Sequence, residues 1–88
     1  MQVVFLSTFS KDLDNLADKD LKAALTLVLN SLESAYTLQE VQNIKKMSSF
    51  KNAYRIRIRN FRLGFYYENG TIELARFLNR KDIYKAFP

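Results

Sequence analysis

Four arginines fall within eight positions in the run Tyr54-Arg55-Ile56-Arg57-Ile58-Arg59-Asn60-Phe61-Arg62. Successive side chains of a β-strand leave opposite faces, so Tyr54, Ile56 and Ile58 would point one way and Arg55, Arg57 and Arg59 the other. One face builds a core. The other sets out a row of guanidiniums, with Arg62 following on the next segment. A guanidinium stays protonated at any working pH, and its planar fork of donors matches the oxygens of a phosphate. Like charges along one strand face repel, so packing gives no reason for the row, whereas a polyanion does. A solvated face is the bland alternative. Further cations surround Tyr84 in Arg80-Lys81-Asp82-Ile83-Tyr84-Lys85. A tyrosine there is either a core-edge residue or a ring that stacks on a base, with a phenol that can serve as acid or hydrogen-bond donor.

Other chemistries are short of parts. The chain has no Cys and no His, which removes thiolate zinc sites, disulfides, the usual metal ligand and the usual acid–base group. Two glycines cannot build a phosphate-cradling loop, and no paired carboxylates suggest themselves. Glu73 reads as local charge balance. No metal or cofactor is implied.

The row must be carried by a sheet. Gln2 to Leu6 is a β-branched and aromatic run, a first strand. Ser7 or Thr8 can cap a short helix with Phe9, Leu13 and Leu16 at helical spacing. Asp18 can cap a longer helix ending near Ala35, in which Leu21, Ala24, Leu25, Val28, Leu29 and Leu32 form one apolar stripe. From Ile44 the period changes to two. Ile44–Met47 reads as a short strand, 48–52 as a loop, and Ala53–Arg59 as the arginine strand. Asn60 marks a turn. Phe61, Leu63, Phe65 and Tyr67 then alternate with Arg62, Gly64, Tyr66 and Glu68. Glu68-Asn69-Gly70 is a tight hairpin signal. Thr71–Leu78 is the last strand, with blurred alternation that suggests a bulge, and 79–88 reads as a polar, basic tail. The fold class is therefore α+β, in the order β-α-α-β-β-β-β. Its sheet is mostly antiparallel, both helices lie on one face, and the arginines are on the other.

With 88 residues, 48% hydrophobic and 26% charged, the composition is that of one globular domain over 1–88. No apolar stretch is long enough to span a bilayer, and no basic start with a cleavage pattern appears, so a cytoplasmic protein is expected. The net charge of +5 is unevenly placed. Residues 1–43 carry a net charge of −3 and residues 44–88 a net charge of +8. The basic half reads as strands and not as a basic amphipathic helix, which favours nucleic acid over a membrane surface.

The element order, the run YRIRIRNFRLGFYY and the ending ARFLNRKDIYK together resemble the RelE/ParE superfamily of bacterial type II toxin–antitoxin systems, a fold of microbial-ribonuclease type. The resemblance spans nearly the whole chain and is closer to the RelE branch. RelE-like toxins are ribosome-dependent endoribonucleases that cut mRNA in the A site, and ParE-like toxins poison DNA gyrase on the same fold. The resemblance implies catalytic roles for Arg55, Arg57, Arg62, Arg80 and Tyr84 around one scissile phosphate. The mRNA 2′-hydroxyl would attack that phosphate, and Tyr84 would stack on the base and protonate the leaving 5′ oxygen. Lys45, Lys46, Lys51, Arg59, Lys81 and Lys85 would contact mRNA or ribosomal RNA. A cognate antitoxin is the implied partner, in a hetero-oligomer. Some members carry lysine at the positions of Arg55 and Arg57, and many carry histidine at that of Asn79. Here those positions offer charge but no ready base. The alternatives are a gyrase-inhibiting toxin and a toxin-fold protein that binds RNA without cutting it.

Overall fold

Period-two alternation in the C-terminal half builds a sheet, and strand register decides what each of its faces presents. The computed structural model describes residues 1–88. The elements are β1 (Gln2–Phe5), α1 (Ser7–Asp14), α2 (Lys19–Ser34), a single 3-10 turn (Leu38–Glu40), β2 (Ile44–Lys46), β3 (Ala53–Ile58), β4 (Phe61–Glu68), β5 (Thr71–Asn79) and α3 (Arg80–Ala86). The strands form one sheet in the order β1-β5-β4-β3-β2. Only the β1–β5 pair is parallel: α1 and α2 carry the chain from β1 to β2 at the far edge, and three antiparallel pairings bring it back to β5 beside β1.

The main core lies between α2 and one sheet face. Leu21, Leu25 and Leu32 of α2 meet Ile56, Ile58, Leu63, Phe65, Ile72, Leu74 and Phe77, all buried. Burying one such side chain contributes roughly 1.5–3 kcal/mol. As the sequence predicts, Asp18 caps α2, its carboxylate accepting the Leu21 N–H at 3.1 Å. Asn69 and Gly70 take positive φ (51° and 81°), closing the β4–β5 hairpin on the expected Asn-Gly pair. The bulge is also present. Gly64 faces Arg76 while Phe65 faces Leu74, so Ala75 is an extra residue on β5.

β1 reaches only as far as Leu74 and leaves the rest of β5 without a strand neighbour on that side. Helix α1 covers that edge with two side chains four residues apart. The Thr8 hydroxyl donates to the Ala75 carbonyl at 2.6 Å, and the Asp12 carboxylate accepts the Phe77 N–H at 2.9 Å. Thr8 is thus committed to β5 and caps nothing. The N-cap of α1 is Leu6, with no side-chain cap, which corrects the expectation of Ser7 or Thr8. Leu16 lies beyond the helix, which ends at Asp14.

Two further expectations are overturned. Residues 79–88 are not a polar tail. Arg80–Ala86 is a helix, started by Asn79, whose side chain accepts the Asp82 N–H at 3.0 Å. It packs Ile83 and the following Phe87 against Ala53 and Ala75 on the sheet face opposite α2, so helices cover both faces. Arg59 is not in the strand either. It takes φ 56° in the β3–β4 turn, which ends the alternating row at Arg57.

Candidate functional site

Three strands and α3 meet at one cavity. Antiparallel pairing places Lys45 of β2 opposite Arg55 of β3, and Arg57 of β3 opposite Arg62 of β4. Two arginines facing each other across a ladder repel. Asn43 enters β2 with φ 63° and offers its carbonyl to the Arg57 N–H at 3.2 Å. Arg55, Arg57, Arg62, Lys45, Asn43, Ile44 and Tyr84 line a cavity of about 340 Å³. No carboxylate lines it.

Helix α3 brings the aromatic ring. Arg80 and Tyr84 are one turn apart, as are Ile83 and Phe87, so one pair can face the site while the other is buried. The Arg80 N–H donates to the Asn60 carbonyl at 2.8 Å, tying the start of α3 to the β3–β4 turn. At the other end the Phe87 ring lies on Gly64. A Cβ at Gly64 would stand 2.6 Å from Phe87 Cδ2, so glycine is required there by close approach. Tyr84 is 58% exposed, with the Arg55 guanidinium carbon 4.8 Å from its ring centroid. Such a contact contributes about 0.5–1 kcal/mol at an exposed site.

The electrostatics follow from this crowding. Arg62 is held below the ordinary arginine pKa, first by burial and then by Arg80, Arg57 and Arg55, with Tyr84 opposing. Its Nη1 donates to the carbonyls of Arg59 (3.1 Å) and Phe61 (2.9 Å), which fixes the turn and the guanidinium together. The Tyr84 phenol is pulled below its ordinary value, first by Arg80 and then by Arg55 near its oxygen. Neither arginine makes a well-aligned hydrogen bond to it. Arg55 Nη1 is buried and has no acceptor in the protein. A buried charged donor without a partner costs at least ~1–3 kcal/mol, so an anionic ligand would find a prepaid site.

Of the residues singled out in the sequence, the structure brings Arg55, Arg57, Arg62, Tyr84 and Lys45 to this cavity. Arg80 stands beside Tyr84 and lines a neighbouring cavity with Asn60, Asn79 and Lys81. Arg59 contributes its carbonyl, not its place in the row. Lys46 faces Tyr54 on the opposite side of the sheet, and Lys51 and Lys85 are exposed away from the cavity lining. Asn43, Ile44, Gly64 and Phe87 were not singled out as site or supporting residues. Only the Asn before a strand hinted at special backbone geometry.

No family model matches the chain. The chain is, however, 35% identical to the toxin RelE3 of Methanocaldococcus jannaschii over 89 aligned residues covering the whole of both proteins. The chain belongs to the RelE family of toxins. Its fold superposes with a TM-score of 0.82 on a chain of the RelB–RelE antitoxin–toxin complex of Methanococcus jannaschii, at 33% identity, over 97% of this chain and 99% of that one. The YoeB dimer of Staphylococcus aureus shares the fold at a TM-score of 0.70 and 20% identity, over 91% and 97% of the two chains. The cavity described above is thus a feature of a RelE-family toxin. No helix is long and apolar enough to cross a membrane.

Proposed function

We propose that this RelE-family protein is a ribosome-dependent endoribonuclease that cuts mRNA, restrained by a cognate antitoxin. The observation that carries the reading is the convergence of Arg55, Arg57, Arg62 and Tyr84 on one cavity without a carboxylate. A single phosphate fits such a set, because three guanidiniums can each donate to its oxygens. In the reaction the mRNA 2′-oxygen attacks the adjacent phosphorus and the bond to the 5′ oxygen breaks, giving a 2′,3′-cyclic phosphate and a free 5′-hydroxyl. Negative charge grows on the non-bridging oxygens, where Arg55, Arg57 and Arg62 stabilise it, with Arg80 acting from beside Tyr84. Fixed donors at developing charge are typically the largest catalytic contribution. The exposed Tyr84 ring offers a stacking surface for a base. Arg59, Lys46, Lys51, Lys81 and Lys85 supply flanking positive charge for mRNA or ribosomal RNA. The partner reading draws on the RelB–RelE antitoxin–toxin complex that the fold matches, in which an antitoxin and a toxin are bound together.

The test is to express the protein and map the 5′ ends of cellular mRNA. Codon-phased cuts within translated regions are expected. Intact mRNA with a DNA-damage response would replace this reading with gyrase inhibition. Ribosome binding without cuts would leave an RNA-binding protein that is not a nuclease.

A further inference from the structure

An in-line displacement must take a proton from the 2′-hydroxyl and give one to the 5′ oxygen. The three arginines cannot do either, since a guanidinium does not deprotonate in proteins. Asn43 and Ile44 cannot exchange protons. Of the residues lining the cavity, only Lys45 and Tyr84 can. We infer that Lys45, in place of Tyr84, is the general acid that protonates the leaving 5′ oxygen, and is thus a catalytic residue; this rests on the nuclease reading above.

Register and topology carry the assignment. Lys45 lies directly opposite Arg55, so its side chain shares the arginine face of the sheet, while Lys46 points to the other side with Tyr54. β2 is the edge strand, and β3 separates it from β4 and β5, on which α3 packs. Lys45 and the α3 residue Tyr84 therefore approach from the two flanks of the β3 guanidiniums. In-line chemistry needs its proton acceptor and its proton donor on opposite sides of the phosphorus. Lys45 is also uncommitted. Its side chain is exposed and forms no hydrogen bond or ion pair, and the one ion pair in the protein is Arg76–Asp12.

The proton balance closes with these two groups. The 2′-hydroxyl proton passes to the Tyr84 phenolate, whose formation Arg80 and Arg55 favour. The new bond from the 2′ oxygen to phosphorus forms as the bond to the 5′ oxygen breaks. The Lys45 ammonium gives its proton to that oxygen and regains one from water, and the Tyr84 phenol releases one to water.

The experiment compares the parent protein with Lys45→Met and Lys45→Arg on programmed ribosomes. One mRNA has the normal 5′ oxygen at the scissile bond, and a second has a bridging sulfur there, a leaving group that needs no proton. Both variants should cut the oxygen mRNA ~100- to 10,000-fold more slowly than the parent protein, the usual range for lost general acid–base help. Both should cut the sulfur mRNA as fast as the parent. Parent-like cutting of the oxygen mRNA by Lys45→Arg, or an undiminished defect on the sulfur mRNA, would overturn the inference and leave Lys45 a charge contact. A parent protein that cuts neither mRNA would overturn the nuclease reading itself, and this inference with it.

Discussion

Arg55 and Arg76 occupy one row of the sheet, on either side of Gly64, yet they meet opposite surroundings. Arg76 is fully answered. Its Nε and Nη2 donate to the two oxygens of Asp12 at 2.8 and 3.1 Å, and that hydrogen-bonded carboxylate raises its pKa. The same Asp12 accepts the Phe77 N–H, so one carboxylate joins α1, the Arg76 side chain and the β5 backbone. Arg55 has no carboxylate. It lies against the Tyr84 ring, and its Nη1 has no acceptor in the protein. The sequence offers the same residue type in both places. What differs is the partner, and a partner supplied by the fold makes an arginine structural, while its lack leaves the charge for a ligand.

The comparison breaks most visibly if Arg55 and Arg76 turn out to matter in the same way. Arg55→Met keeps the aliphatic stem and removes the charge. We expect mRNA cleavage to fall ~100- to 1,000-fold, the usual loss of one transition-state donor. The melting temperature should stay level or rise, because a buried donor without an acceptor is removed. Asp12→Ala should do the reverse. It unties Arg76 and strands the Phe77 N–H, and hydrogen bonds to charged groups contribute about 1.5–3 kcal/mol. Arg76 is partly exposed, so a loss of ~2 kcal/mol in denaturant unfolding is expected after screening is discounted. Cleavage by the folded fraction should be unchanged. An Asp12→Ala protein that is stable but inactive would erase the difference between the two arginines.

The two arginines also differ in how legible they were. The alternation from Tyr54 to Ile58 fixes faces by its period alone, so Arg55 and Arg57 could be set against the core from the sequence. Arg59 could not. It continues the alternation, but the chain turns there in a left-handed conformation that arginine does not advertise. Lys45 and Lys46 look interchangeable in sequence, and only pairing with β3 sends one to the cavity and the other to the far face. Asp12 and Arg76 are 64 residues apart, and nothing local signals their meeting. Helix α3 is faint in the sequence because Ile83 and Phe87 are a thin apolar signature among charged neighbours. Its Asn79 cap, with Asp82 three residues on, was the readable sign.

Gly64 stands between the two arginines and tests whether the Arg55 side depends on α3. Gly64→Ala would put a methyl group into the Phe87 ring. Overpacking of this kind typically costs ~1–3 kcal/mol, and the ring has to lift away from the sheet. The Asp12–Arg76 pair lies on the α1 side and should survive, visible as an unchanged charge-dependent contribution to stability in a double-mutant cycle with Asp12→Ala. Cleavage should drop, because Arg80 and Tyr84 travel with α3. Full activity in Gly64→Ala would mean that Phe87 does not set their position.

The smallest effect isolates the electrostatics of the Arg55 side without unfolding anything. In the parent protein the Tyr84 phenol ionises below its ordinary value because Arg80 and Arg55 stand beside it. A nearby guanidinium stabilises the phenolate over the neutral phenol, so removing it must raise the pKa. Arg80→Ala should therefore move the Tyr84 titration upward, towards the ordinary phenol value near 10. Arg55→Met should also move it upward, and Arg76→Met, on the answered side of the row, should not move it at all. Tyrosine ring carbon shifts followed by NMR across the alkaline range resolve Tyr84 from the other four tyrosines. If the three variants shifted Tyr84 equally, the field at the cavity would be a property of the whole basic surface. Upward shifts in Arg80→Ala and Arg55→Met, with none in Arg76→Met, place that field in the few guanidiniums that lack a carboxylate partner.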